Sequence, residues 1–210
     1  VLNILNTKYY HFEYTTVAMV DDYFGIATFS KYPIVNRGKI VFNTRSNNIC
    51  IYTDVLIEKD TVRIYNMHLQ SISFSKKDHT FVGDLQDKDD AQNELENSKS
   101  ILRRLKRAFV KRAEQAEMVS ASIRNCRYKI ILCGDFNDTP ASYSYNLISE
   151  DLNDSFIEKG SGFGRTYVGK FPSFRIDYIM HSKGVKCTQF SRSEETFTDH
   201  YPITAYLKFK

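Results

Sequence analysis

No apolar run among the 210 residues approaches the roughly 20 needed to cross a bilayer as a helix, and no secretory leader pattern opens the chain. A helical membrane span within this stretch is therefore excluded, and localisation stays open. Cysteine is sparse: Cys50, Cys126, Cys133 and Cys187 form no C-x-x-C pair and have no histidine at zinc-ligand spacing, which argues against a structural zinc. Cys50 and Cys133 lie in apolar runs and read as small buried hydrophobes, and nothing demands a disulfide. Internal repeats and low-complexity tracts are also lacking. What is present, 42% hydrophobic and 26% charged residues, fits one globular domain over 1–210, large enough to bury a core without staples. The formal charge of +4 permits a polyanionic partner without requiring one, and no obligate protein partner is indicated.

Alternating or continuously apolar, β-branched stretches predict strands at 24–29, 48–57, 61–68, 129–133, 175–180, 185–190 and 203–209. Several read as apolar on both faces, Ile130, Ile131 and Leu132 in one and Ile203, Ala205 and Leu207 beside Thr204 and Tyr206 in another, as in a sheet covered on both sides. A 3.6-residue period from about 98 to 123, carried by Ile101, Leu105, Ala108, Phe109, Ala113, Ala116 and Val119, predicts one long amphipathic helix. Lys99, Arg103, Arg104, Lys106, Arg107, Lys111 and Arg112 are assigned to its solvated face. The polar stretch 73–97, with Asp84, Asp87, Asp89, Asp90, Glu94 and Glu96, reads as an insertion or surface loop and an acidic lead-in that suits the helix dipole.

Four short motifs carry chemistry. GDFNDTP (134–140) follows the buried run KIILC, so Asp135 and Asn137 leave a core strand on one face, either as a catalytic pair or as a simple Asx turn. In TDHYP (198–202) a metal-competent carboxylate, Asp199, adjoins His200, the side-chain type that titrates near neutrality. Asp177, embedded in the apolar strand RIDYIM (175–180), needs a partner: an imidazole, Arg175 or a backbone amide would serve. His68, at the end of TVRIYNMH, is structural unless the other elements converge on it.

Taken in order, FGIATFSKYPI (24–34), NMHLQS (66–71), GDFNDTP (134–140), RIDYIM (175–180) and TDHYPI (198–203) resemble the successive signature blocks of the endonuclease/exonuclease/phosphatase superfamily over nearly the whole chain. The resemblance implies an α/β four-layered sandwich, with two packed mixed sheets between helices and the site at the sheet ends. It further implies that Asp135 orients or deprotonates the attacking water, Asn137 positions water and phosphate, Asp199 joins the metal site, His200 held by Asp177 contacts the scissile phosphate, and His68 serves the leaving-group side. Such chemistry calls for a divalent cation, and an oxygen-rich set without cysteine favours Mg²⁺ first and Mn²⁺ second.

The chain departs from the family at its start, where members supply an Asn strand and then a metal-binding Glu, usually as Gln-Glu. Glu13, in HFEYTT, does not match. The resemblance thus predicts that a longer product supplies this segment and its strands, or that the fragment is impaired. The absence of tryptophan disfavours the abasic-site endonuclease branch. A phosphodiesterase acting on nucleic acid or a phospholipid headgroup is expected, with a phosphomonoesterase on lipid or sugar phosphates, or a noncatalytic phosphate- or nucleic-acid-binding module, as alternatives. Some bacterial relatives join the domain to membrane helices, so a membrane-tethered parent is also in view.

Overall fold

A computed structural model of the chain describes residues 2–19, 22–42, 47–72, 91–168 and 174–209. Among these described residues ten strands follow in order: β1 (Tyr9–Met19), β2 (Asp22–Ser30), β3 (Ile34–Ile40), β4 (Ile49–Ile57), β5 (Asp60–His68), β6 (Lys129–Asp135), β7 (Leu152–Asp154), β8 (Asp177–Ser182), β9 (Val185–Arg192) and β10 (Ile203–Phe209). Six of them form one mixed sheet in the order β3-β4-β5-β6-β8-β7. The antiparallel hairpins β1–β2 and β9–β10 form the second β layer: the first lies against β4 and β5, the second against β8. Asn66 on β5 reaches across the layers to donate to the Ala27 carbonyl, and His11 on β1 meets Thr53 on β4. With helices packed outside, this is the expected α/β sandwich.

The long helix, Ala91–Arg124, covers the outer face of the large sheet and closes the core. Ala116, Val119 and Ile123 pack there against Tyr65, Met67, Leu132, Tyr178 and Met180, which project from β5, β6 and β8 on one face. One expectation is overturned here. Arg112, assigned from sequence to the solvated face, is 1% exposed and lies inside the buried stripe, as does Gln115. Phe109, counted as inward, is half exposed and lies beneath the Arg112 guanidinium. The acidic residues of 84–96 lie outside the residues whose side chains are described.

β10 also differs from its prediction. Its burial alternates, with Ile203, Ala205, Leu207 and Phe209 half-buried and Thr204, Tyr206 and Lys208 exposed, so one face is covered rather than two. Of the two cysteines read as core residues, Cys50 is fully buried and Cys133 half-buried, and all four are free thiols.

Candidate active site

The site follows from strand register. β5 and β6 run parallel, with His68 paired to Asp135, and β6 runs antiparallel to β8, with Asp135 paired to Asp177. Three polar residues thus arrive abreast at the ends of adjacent strands. Their approach depends on Gly134, whose φ of +147° is closed to other residues and where a Cβ would stand 2.0 Å from the Met67 carbonyl oxygen. Gly134→Ala should therefore lower stability by about 3 kcal/mol, seen as a fall in the urea midpoint.

Beyond Asp135 the chain turns through Asn137, itself left-handed at φ 51°. The Asn137 amide donates to Asp135 Oδ1 at 2.6 Å, and its side-chain Nδ2 donates to Asp135 Oδ2 and to the Leu69 carbonyl, each at 3.0 Å. The Asx turn and the converging pair, alternatives from sequence, are one structure. His200 enters from the loop before β10, its Nδ1 2.8 Å from Asp177 Oδ2 across 23 positions of sequence. Its Nε2 faces Asp135 Oδ2 at 3.9 Å, and His68 Nε2 faces the same oxygen at 3.7 Å. Arg175, another of the candidate partners for Asp177, instead pairs with buried Asp154. The structure therefore brings together Asp135, Asn137, Asp177, His200 and His68. Asp199 stands apart: its side chain is exposed, and its carbonyl accepts from the Val168 amide.

Burial, and secondarily the Asp177 charge, push the Asp135 carboxyl up to about 7. The Asp177 hydrogen bond raises His200 to about 9, so its imidazole is cationic at neutrality and Nε2 carries a proton toward the cleft. His68 is lowered by burial and then by the His200 charge, so it stays neutral beside that cation. Amide nitrogens flank both of its ring nitrogens, Asn48 Nδ2 at 3.1 Å from Nδ1 and Asn137 Nδ2 at 3.3 Å from Nε2.

Asp135, Asp177 and His200 each offer a ligand atom within 4.8 Å of the others. A cationic imidazole cannot ligate, but two carboxylates suit a hard divalent ion that keeps several waters. Asp135 and Asp177 would hold it.

Sequence reasoning missed the residues that stitch this site together. Thr166 Oγ1 accepts from the Ile176 and Asp177 amides at 3.0 and 3.1 Å, while its carbonyl accepts from the Tyr201 amide at 2.7 Å. One buried threonine thus joins the Asp177 strand to the His200 loop. Tyr167 meets the His200 ring edge-on, with centroids 5.4 Å apart. The two run together in GRTYV, a signal legible only once Asp177 and His200 are known to be neighbours.

Comparison with known proteins agrees with this fold. The chain is similar over nearly its whole length to solved structures of this architecture. A mannosyl-6-phosphatase from Bacteroides thetaiotaomicron shares 17% identity at a TM-score of 0.62, over 95% of this chain and 77% of that one. An endonuclease/exonuclease/phosphatase from Bacteroides vulgatus shares 14% at 0.65, over 96% and 77%. The catalytic domain of human Nocturnin, with bound sulfate, shares 16% at 0.62, over 100% and 74%. At these identities the likeness establishes the fold. No curated protein sequence matches significantly. The model of the endonuclease/exonuclease/phosphatase family, however, matches residues 2–200, and with that match the chain belongs to this family.

Proposed function

We propose that the protein hydrolyses phosphate esters with the aid of a divalent cation, Mg²⁺ before Mn²⁺, and that phosphodiesters are its preferred class. The observation that carries this reading is the convergence of Asp135, Asn137, His68 and the Asp177–His200 pair at three adjacent strand ends. A phosphodiester repels anionic attack, and a cation beside Asp135 and Asp177 would offset that charge. In this assignment Asp135 Oδ2 takes the proton of the attacking water, and Asn137, whose Nδ2 is tied to Asp135 and Leu69, holds water and phosphate in line. His200 Nε2–H donates to a phosphate oxygen, with Asp177 fixing the tautomer and the charge. The His68 imidazole faces the departing oxygen. The family resemblance gives Asp199 to the metal site, but its exposed side chain lies outside the cluster of Asp135, Asp177 and His200.

With bis(4-nitrophenyl) phosphate the protein should turn over in Mg²⁺ or Mn²⁺ and lose at least about a hundredfold of its rate in excess chelator. A full rate in chelator would refute the metal's role. A second reading, a phosphomonoesterase on sugar or lipid phosphates, draws on the mannosyl-6-phosphatase with which the fold is shared. Faster hydrolysis of 4-nitrophenyl phosphate than of the diester would favour it, while saturable phosphate binding without turnover of either would point to a noncatalytic module.

A further inference from the structure

Two of the polar side chains that the long helix buries lie one turn apart in its apolar stripe: Arg112, 1% exposed, and Gln115, 2% exposed. Both bond to one residue, Gln70, just beyond β5. Gln115 Oε1 accepts from the Gln70 amide at 2.9 Å, and Arg112 Nη1 donates to the Gln70 carbonyl at 2.8 Å. Arg112 Nε also donates to Asp138 Oδ2 at 2.9 Å, in the loop beyond β6. A single guanidinium thus spans two strand-end loops. The residue before Gln70 is Leu69, whose carbonyl accepts from Asn137 Nδ2 and whose amide donates to the Asp135 carbonyl at 2.9 Å. Asp138 follows Asn137 directly, and its own carbonyl accepts from Tyr178 Oη.

An apolar pair in place of a buried ion pair is commonly as stable or more so, which leaves stability as a poor reason for Arg112 and Asp138. We infer that Arg112 and Gln115 are positioning residues, setting from the helix the placement of the Leu69 carbonyl and hence of the Asn137 amide in the site. This rests on the hydrolytic reading given above. A planar fork can hold the Gln70 carbonyl and the Asp138 carboxylate together, whereas lysine, a single ammonium, cannot reproduce that geometry.

Three variants test it: Arg112→Lys, Gln115→Leu, and the apolar replacement Arg112→Met with Asp138→Leu. Each should lower kcat about thirtyfold with KM within about threefold. The apolar pair should do so while its urea midpoint stays at or above that of the wild type, which a merely structural role does not allow. On an Asn137→Ala background, Arg112→Lys should cost less than about a further threefold, because both act through one amide. Recovery of kcat by the apolar pair, or losses that multiply with Asn137→Ala, would overturn the assignment. Amide hydrogen exchange at Leu69 and Asn137, which needs no turnover, should quicken in Arg112→Lys, and unchanged exchange would overturn it equally. A wild-type protein that hydrolyses nothing would instead remove the hydrolytic reading, leaving the exchange result to judge the clamp alone.

Discussion

Replacing Asp135 by asparagine should lower kcat by roughly three orders of magnitude while leaving the protein folded. The carboxylate sits where the ends of β5, β6 and β8 meet, and both histidines aim Nε2 at its Oδ2. An amide there keeps the shape and loses the base and the anionic ligand together. The pH dependence follows from the same burial. With its pKa pushed up to about 7, Asp135 is largely protonated below neutrality in the metal-free protein, which makes about pH 7 the upper bound for the acid limb of the rate. A bound cation favours the carboxylate and should move that limb to lower pH. Stability runs the other way. Because the folded pKa lies above the unfolded one, the metal-free fold should be favoured most below about pH 4 and lose that contribution as pH rises through about 7. Asp135→Asn should flatten both profiles, and an unaltered rate profile in this variant would remove Asp135 from the reaction.

His200→Ala should cost about a thousandfold in kcat and Asp177→Asn about a hundredfold, yet the double variant should lose clearly less than the product of the two. The reason is the 2.8 Å contact between His200 Nδ1 and Asp177 Oδ2: whatever part of the Asp177 effect runs through the imidazole it holds is already lost in His200→Ala. Asp177→Asn should also return His200 toward the ordinary histidine value. In the wild type the imidazolium stabilises the fold fully below about pH 6.5, and that contribution is lost as pH rises through about 9. Urea midpoints at pH 6 and pH 10 should therefore differ less in the variant than in the wild type. Losses that multiply in the double variant would mean that the two residues act separately.

The strand-end motifs were legible because each is local. GDFND places a carboxylate and an amide two residues apart after an apolar run, and both the turn and the pairing follow from that spacing. Their convergence was legible only through the order of the five blocks, since no single stretch carries the register that sets His68, Asp135 and Asp177 abreast. β1 went unread as a strand because its pattern is inverted: His11 faces inward, while Tyr10, Phe12 and Tyr14 are exposed. β3, with Asn36, Arg37, Gly38 and Lys39 at a sheet edge, lacks an apolar alternation and is tied down by Asn36 to Asp54 and Lys39 to Glu13. Arg112 was misplaced because helical periodicity treats any cation as solvated, and its acceptors lie 26 and 42 positions away. Thr166 was invisible for a similar reason, since its value lies in the two backbone segments it joins.

The parallel pairing of β5 with β6 also bears on how the molecule comes to be active. His68 and Asn137 stand 69 positions apart, and a parallel pair cannot be closed by a tight turn. The chain must pass out through the long helix and return before the two strands can zip, so a large loop-closure entropy precedes any contact that repays it. The helix and the β4–β5 hairpin are local and can form early, whereas the cluster of His68, Asn137 and Asp135 is among the last contacts to close. During refolding from urea, helical circular dichroism should accordingly return before phosphate-ester turnover does, with a population of compact, structured and inactive chains in between.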